Sequence, residues 1–210
     1  GYEPANWDGM FPRVQSGHEL DYTVRGLRFA GGHGTQMDGF SQAYLSGAEQ
    51  ARYMLEDMKK EGLTKSIGVS NFEMIHLQYL ATQAHEMPVV DQIELHPLLT
   101  QKPLLKFNQD HQIITQAWSP LSRGAVLDQD VLKQIAARHQ KSPAQVILRW
   151  HLQNGVSFIP KSVHEARIAQ NADIYDFTLT PAEMAQIDAL NNYQRTGREP
   201  ELVYEYNRQY

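Results

Sequence analysis

From residue 47 onward the chain alternates short apolar runs with segments of helical period, and each run gives way to polar residues before the next helix. Ser66-Ile-Gly-Val69 opens into Ser70-Asn71. Val89, Val90, Ile93 and Leu95 surround Gln92, the polar exception of their run. Ile113 to Trp118 stops at Ser119-Pro120, and a run from Ser157 stops at Pro160, whose ring removes a ladder donor. Strands this short and this apolar are buried on both faces, and a helix after each one carries the chain back to start the next strand in the same direction. That pattern leaves two architectures, an open doubly wound sheet or a (β/α)8 barrel. In both, the chemistry gathers at the C-terminal ends of the strands.

The helices are legible from their faces and caps. Ala51, Met54, Leu55 and Met58 recur at helical spacing up to Gly62, a C-terminal signal; Leu77, Leu80, Ala81 and Ala84 form the next face. A short helix is expected around Leu104 to Asp110, and another is marked by Val131, Ile135 and Ala136. Ser142-Pro-Ala-Gln145 and Thr180-Pro-Ala-Glu183 are capping boxes with proline at the first helical position. The first opens a helix whose Ala144, Ile147, Leu148 and Trp150 suit packing onto a sheet; the second opens a last helix through Met184, Ile187 and Leu190. Residues 1–46 are different: glycines and prolines interrupt every period, and one strand near Tyr22 to Phe29 is all that the pattern supports. The expected organisation is one domain with an irregular segment 1–46, βα units over 47–197 and a polar, aromatic tail 198–210.

Charge and composition narrow the partners. A formal net charge of -5 argues against nucleic acid or an anionic membrane as the main partner, so a local basic cluster points to a small anion. Cysteine is absent, which excludes disulfides and thiolate sites and fits a reducing compartment. No apolar run approaches the ~20 residues of a membrane span, and a cytoplasmic location is the expectation.

The strand ends carry Ser70-Asn71, Gln92, Trp118-Ser119 and Lys161-Ser162: amides, hydroxyls, one large ring and one cation. A helix start near His164 brings Lys161, the Ser162 hydroxyl, first-turn amides and Arg167 toward one point, a setting for a phosphate. On these residues alone a helix cap flanked by solvated cations explains the pattern equally well. Neither Gly-x-Gly-x-x-Gly nor a P-loop follows any of the strands, so a dinucleotide would bind outside the Rossmann manner.

Taken together, Gly68-Val-Ser-Asn-Phe72, Gln92-Ile-Glu-Leu-His-Pro97, Trp118-Ser-Pro-Leu121 and Ile159-Pro-Lys-Ser162 with Arg167 and Gln170-Asn171 resemble, in order and spacing, the second half of the aldo-keto reductases. The match covers about residues 48–200. The resemblance implies a (β/α)8 TIM-barrel fold with strands five to eight recognisable here, and an NADP(H)-dependent reductase of aldehydes, ketones or keto acids. It implies that Ser70, Asn71 and Gln92 hold the nicotinamide carboxamide and that Trp118 stacks on the ring, where many members have Tyr. Ser119, Leu121 and Ser122 would line the pyrophosphate. Lys161, Ser162 and Arg167 would grip the 2′-phosphate, with Gln170 and Asn171 at the adenine.

The first half departs from the family. The Tyr proton donor, its supporting Asp and Lys, and a His come from the first four strands in these reductases. Gly1-Tyr-Glu-Pro4 and Leu20-Asp-Tyr22 resemble the segment that leads into strand four, so the Asp, Tyr and Lys segments are expected before residue 1. His33 falls about four residues late for the family's histidine and is the one catalytic candidate in the chain. An active reductase is the leading expectation, a monomer once its first half is in place. The alternatives are a catalytically incompetent barrel fragment that binds nucleotide, or a protein partner through exposed sheet edges, and a phosphate-binding barrel of unrelated chemistry. The region 30–46 and the tail near Tyr204 and Tyr206 are the expected contributors to the substrate pocket.

Overall fold

In the computed structural model, residues 56–200 are described. The irregular first segment, the strand expected near Tyr22, His33 and the tail from residue 201 lie outside them.

Four strands alternate with helices: β1 (Gly68–Ser70), α1 (Met74–Gln83), β2 (Val90–Glu94), α2 (Lys102–Asp110), β3 (Ile114–Trp118), α3 (Asp130–His139), α4 (Pro143–Gln153), β4 (Ser157–Phe158), α5 (Glu165–Ala172) and α6 (Pro181–Asp188). All pairings are parallel and the spatial order is β1-β2-β3-β4. A doubly wound sheet reverses its strand order at a switch point; these strands add in one direction only. With right-handed crossovers, that winding puts every helix on the same face of the sheet, as in a β/α barrel.

The register sorts the side chains into two faces, because alternate residues of a strand share a face. Val69, Asp91 and Thr115 are paired across the sheet, as are Ile93 and Ala117 with their neighbours, and this face meets the helices. Ile93 and Ala117 join Leu77, Leu104, Leu105, Ile135, Ile147 and Trp150 in one apolar core. Each such aliphatic side chain contributes roughly 1.5–3 kcal/mol when fully buried. The opposite face carries the row Ser70, Gln92, Gln116, Ser157, and beyond it the pair Glu94 and Trp118. Gly68 stands at the start of this face because a Cβ there would collide with Val90 Cγ1.

The caps read from the sequence form as expected. Ser142 and Thr180 each accept from the amide three residues on, and Gln145 and Glu183 reach back to the cap amides. Gly62 ends the helical turn over residues 56–60 at φ 73°, with Leu63 N–H donating to Met58 O and Gly62 N–H to Lys59 O, a Schellman closure.

Other details differ. Ala81 is exposed, so the α1 face rests on Leu77 and Leu80; Val89 precedes the β2 ladder, and Leu190 lies past the end of α6. The larger correction concerns β2: beside Gln92 it holds two fully buried carboxylates, Asp91 and Glu94. Asp91 faces α2 and accepts from Asn108 Nδ2 at 3.4 Å, while Asn108 also donates to Thr115 Oγ1 at 3.1 Å. Burial pushes the Asp91 carboxyl up to about 8, against the smaller opposing pull of the Asn108 and Phe72 bonds. Among the described residues, no helix is long and apolar enough to cross a membrane.

Candidate functional site

β1 ends at Ser70, and the next residue, Asn71, turns the chain with φ 58°, a left-handed conformation that asparagine tolerates better than most residues. Its amide N–H donates to Gln92 O at 2.9 Å, so the turn is tied to β2. Both Ser70 and Asn71 are buried. Two strands further on, Trp118 Nε1 donates to Asn71 Oδ1 at 2.7 Å. That bond fixes which way the Asn71 amide points: the oxygen is engaged by the indole, and the NH2 is left to donate.

The neighbouring amide is fixed in the opposite sense. Gln92 Nε2 donates to Gln116 Oε1 at 2.6 Å, and Gln116 Nε2 lies 3.5 Å from Ser157 Oγ. Gln92 therefore keeps its carbonyl oxygen as an acceptor. A donor at Asn71 and an acceptor at Gln92 complement a primary carboxamide, which offers one carbonyl and one NH2. Gln116 carries no signal of its own in the sequence, and it does for Gln92 what Trp118 does for Asn71.

β3 leaves the ledge through a strained turn. Ser119, Ser122 and Arg123 have φ of 49°, 49° and 52°, values that non-glycine residues seldom adopt. Ser122 is completely buried, and its Oγ has no hydrogen-bond partner among the described residues. It lies outside the cleft that this turn opens. That cleft has a volume of ≈ 800 Å³ and is lined by Ser119, Leu121, Lys161, Ser162, Arg167, Gln170 and Asn171 from the sequence reading, joined by Arg123, His164 and the α4 start Ser142-Pro143-Ala144. Apart from the buried Ser122, the predicted residues thus fall into two groups: Ser70, Asn71, Gln92 and Trp118 on a ledge at the strand ends, and Ser119, Leu121, Lys161, Ser162, Arg167, Gln170 and Asn171 in the cleft.

The start of α5 bears on whether this basic set is a mere cap. Ser162 Oγ accepts from His164 N–H at 3.1 Å and thereby shapes the approach to the helix. The N-cap, His164, makes no side-chain cap bond, unlike Ser142 and Thr180 at α4 and α6. Lys161 and Arg167 are exposed and make no ion pair with a described residue. Lys161, His164 and Arg167 therefore share one wall of the cleft at the start of α5, a setting suited to an anion.

Beside Trp118, Glu94 is the buried group that the sequence hid most thoroughly. Its buried carboxylate accepts at Oε1 from Thr196 N–H at 2.6 Å, Thr196 Oγ1 at 2.5 Å and Gly197 N–H at 3.1 Å, while His96 Nε2 lies 3.1 Å away. Burial alone would raise this carboxyl, but the bonds from His96, Thr196 and Gly197 outweigh it and hold the group at about 2. Nothing periodic marks Arg195-Thr-Gly197, and its partner is 102 residues distant.

This arrangement has relatives of known kind. A model of the aldo/keto reductase family matches residues 18–192. The glyoxal reductase of Bacillus subtilis is 52% identical over 151 residues, which cover 71% of this chain and 55% of that protein. Methylglyoxal reductase DkgA of Escherichia coli is 46% identical over 147 residues, 69% of this chain and 54% of that one. The chain spans about half the length of these curated relatives. Among solved structures, a mutant of Gox0644 in complex with NADPH superposes with a TM-score of 0.72 at 35% identity, covering 90% of this chain and 72% of that one. A Bombyx mori aldo-keto reductase in complex with NADP gives 0.68 at 35% identity, covering 75% and 54%. A chain whose parallel strands wind in one direction and whose strand ends carry this set of amides, ring and cations belongs to the aldo-keto reductase family.

Proposed function

We propose that this chain holds NADP(H) along the strand ends and serves the reduction of a small carbonyl compound to an alcohol. The observation that carries the reading is the paired orientation of two amides: Asn71 presents NH2 and Gln92 presents an oxygen, each fixed by a neighbour. Such a pair fits a nicotinamide carboxamide in one orientation only, and so selects which ring face looks away from the protein. Trp118, whose indole lies between this pair and Gly197, offers an aromatic surface for that ring. Bound NADPH supplies the hydride.

The remaining residues hold the rest of the molecule. Ser119 and Leu121 stand where the ledge passes into the cleft, suited to the pyrophosphate, with Ser122 behind them. Lys161, Ser162 and Arg167 would bind the 2′-phosphate, and Gln170 and Asn171, one turn further along α5, the adenine. The described residues bind and orient; the proton that completes the alcohol is assigned on this reading to groups outside residues 56–200, where His33 also lies. The dicarbonyls named for the bacterial relatives, glyoxal and methylglyoxal, are the first substrates to try.

The test is a fluorescence titration with NADPH followed by addition of glyoxal. Saturable quenching of tryptophan emission, largely lost in Trp118→Phe, is expected, and carbonyl-dependent loss of nicotinamide absorbance is expected only with the proton-donating groups in place. Quenching that is unchanged in Trp118→Phe would contradict the placement of the ring.

A further inference from the structure

The buried Glu94 carboxylate does not line the cleft, and it stands two residues past Gln92 on the same face of β2, yet it collects more hydrogen bonds than any other side chain of the ledge. Besides His96 Nε2 at 3.1 Å, its donors come from one short segment: Thr196 N–H, Thr196 Oγ1 and Gly197 N–H, the last lying 3.1 Å from Oε1 and 3.2 Å from Oε2. Arg195 extends the same segment sideways. Its Nη2 donates to Glu73 Oε1 at 3.1 Å, in the turn that follows Asn71, and its Nε pairs with Glu199 at 2.7 Å. The chain after α6 is thereby strapped across the ends of β1 and β2.

The strap presses on Trp118. A Cβ built on Gly197 would collide with the indole Cη2 and lie 3.1 Å from both Cζ3 and Glu94 Oε2. Only a residue without a side chain fits between the carboxylate and the benzo edge of the ring. At its other end the indole is tied through Nε1 to Asn71 Oδ1 at 2.7 Å. The ring is thus held at two points, and one of them exists because Glu94 holds Gly197 in place. Glu94 and Trp118 are register partners on adjacent strands, so the clamp adds no flexible linker of its own.

We infer that Glu94 is a positioning residue for the nicotinamide end of the cofactor site, acting through the Thr196-Gly197 amides on the Trp118 ring and, through that ring, on the Asn71 amide. This inference rests on the proposed role of Trp118 as the ring against the nicotinamide. Its physical content is a chain of contacts: carboxylate to strap amides, strap glycine to indole edge, indole N–H to amide oxygen. Each link constrains the next group to one position, and a site held to a fraction of an ångström binds without first ordering its own parts.

The test uses the full chain with Glu94→Ala, Glu94→Gln and Gly197→Ala, and Thr180→Ala as a control that weakens a distant helix cap. Three readouts are taken: the indole N–H resonance of Trp118, assigned by its loss in Trp118→Phe; the Kd for NADPH; and the Kd for adenosine 2′,5′-bisphosphate, which lacks the nicotinamide. Glu94→Ala and Gly197→Ala should shift the resonance and weaken NADPH about five- to thirtyfold, or about 1–2 kcal/mol at 1.4 kcal/mol per tenfold, while bisphosphate binding stays unchanged. Glu94→Gln, which keeps one carbonyl acceptor for the strap, should recover most of the NADPH affinity, and Thr180→Ala should alter none of the three. An unmoved resonance with unchanged NADPH affinity in both Glu94→Ala and Gly197→Ala would overturn the inference, as would equal losses for the two ligands. A shifted resonance in a protein whose wild type binds no NADPH would leave the clamp standing and remove the functional reading beneath it.

Discussion

The ledge at β1 to β3 and the cleft at α5 are built on different physics. On the ledge the polar groups already satisfy one another: Trp118 with Asn71 at 2.7 Å, Gln92 with Gln116 at 2.6 Å, Glu94 with the strap. Each bond uses one half of a two-sided group and leaves the other half oriented. In the cleft, Lys161 and Arg167 are exposed, and the α5 start has no side-chain cap. The ledge has orientation built in by neighbours. The cleft has charge, which attracts an anion from a distance but fixes its pose only on arrival. A ligand spanning both would draw orientation from one end and much of its affinity from the other.

Removing the cleft's charge should have the largest effect. Lys161→Ala combined with Arg167→Ala is expected to lower the affinity for adenosine 2′,5′-bisphosphate by about a hundredfold or more, since each charge-assisted contact is worth about 1.5–3 kcal/mol. The loss is read by calorimetry and should shrink as salt is raised in the wild type. An equal loss in Gln92→Met would erase the distinction between the two ends.

Next comes the sheet beneath the ledge, through Asp91 on the helix-facing side. The folded chain keeps this carboxyl protonated up to about 8, while the unfolded chain releases the proton near 3.8. Stability from this group is therefore fully present below about 3.8 and is lost progressively as pH rises toward 8. Asp91→Asn should remove that slope and stabilise the fold by roughly 1–3 kcal/mol at neutral pH, measured by denaturant midpoints on the acid and alkaline sides, with ligand binding unaltered. A wild type that gains stability across that range would show the carboxylate to be ionised and paired.

Smaller again is Trp118→Phe. It removes the N–H that orients Asn71 but keeps an aromatic face, so NADPH and NADH should both weaken by the same factor of about three to ten, for a neutral hydrogen bond of about 0.5–1.5 kcal/mol. The smallest is Thr180→Ala, whose lost cap costs about 1 kcal/mol in thermal stability and leaves both ends untouched.

The same contrast separates what is legible in the sequence from what is not. The basic wall of the cleft stands in one run, Ile159 to Asn171, and the signal is local: a strand end, a proline, two cations flanking a helix start. The caps at Ser142 and Thr180 are local in the same way. Ser70, Asn71 and Trp118 are legible because each stands at the close of an apolar run, and Gln92 because it interrupts one. Gln116 is not, since its role exists only once the register sets it beside Gln92. Asp91 and Glu94 look like surface charges in a sequence, and only their partners at Asn108 and Thr196 make their burial tolerable. The strap needs the most: a glycine whose reason is an indole 79 positions away in number (197 less 118) and in contact across the site. The first segment, with His33, lies outside the described residues.

Whether the two ends answer separately to one ligand is asked directly by a four-way titration. Wild type, Arg167→Ala, Gln92→Met and the double variant are each titrated with NADPH and with NADH, following tryptophan quenching. Arg167→Ala should cost about ten- to hundredfold with NADPH and almost nothing with NADH, whereas Gln92→Met should cost the same factor with both and add to the first in the double variant. Equal losses of NADPH and NADH in Arg167→Ala would contradict the assignment of the cleft to the 2′-phosphate and, with it, the proposed function.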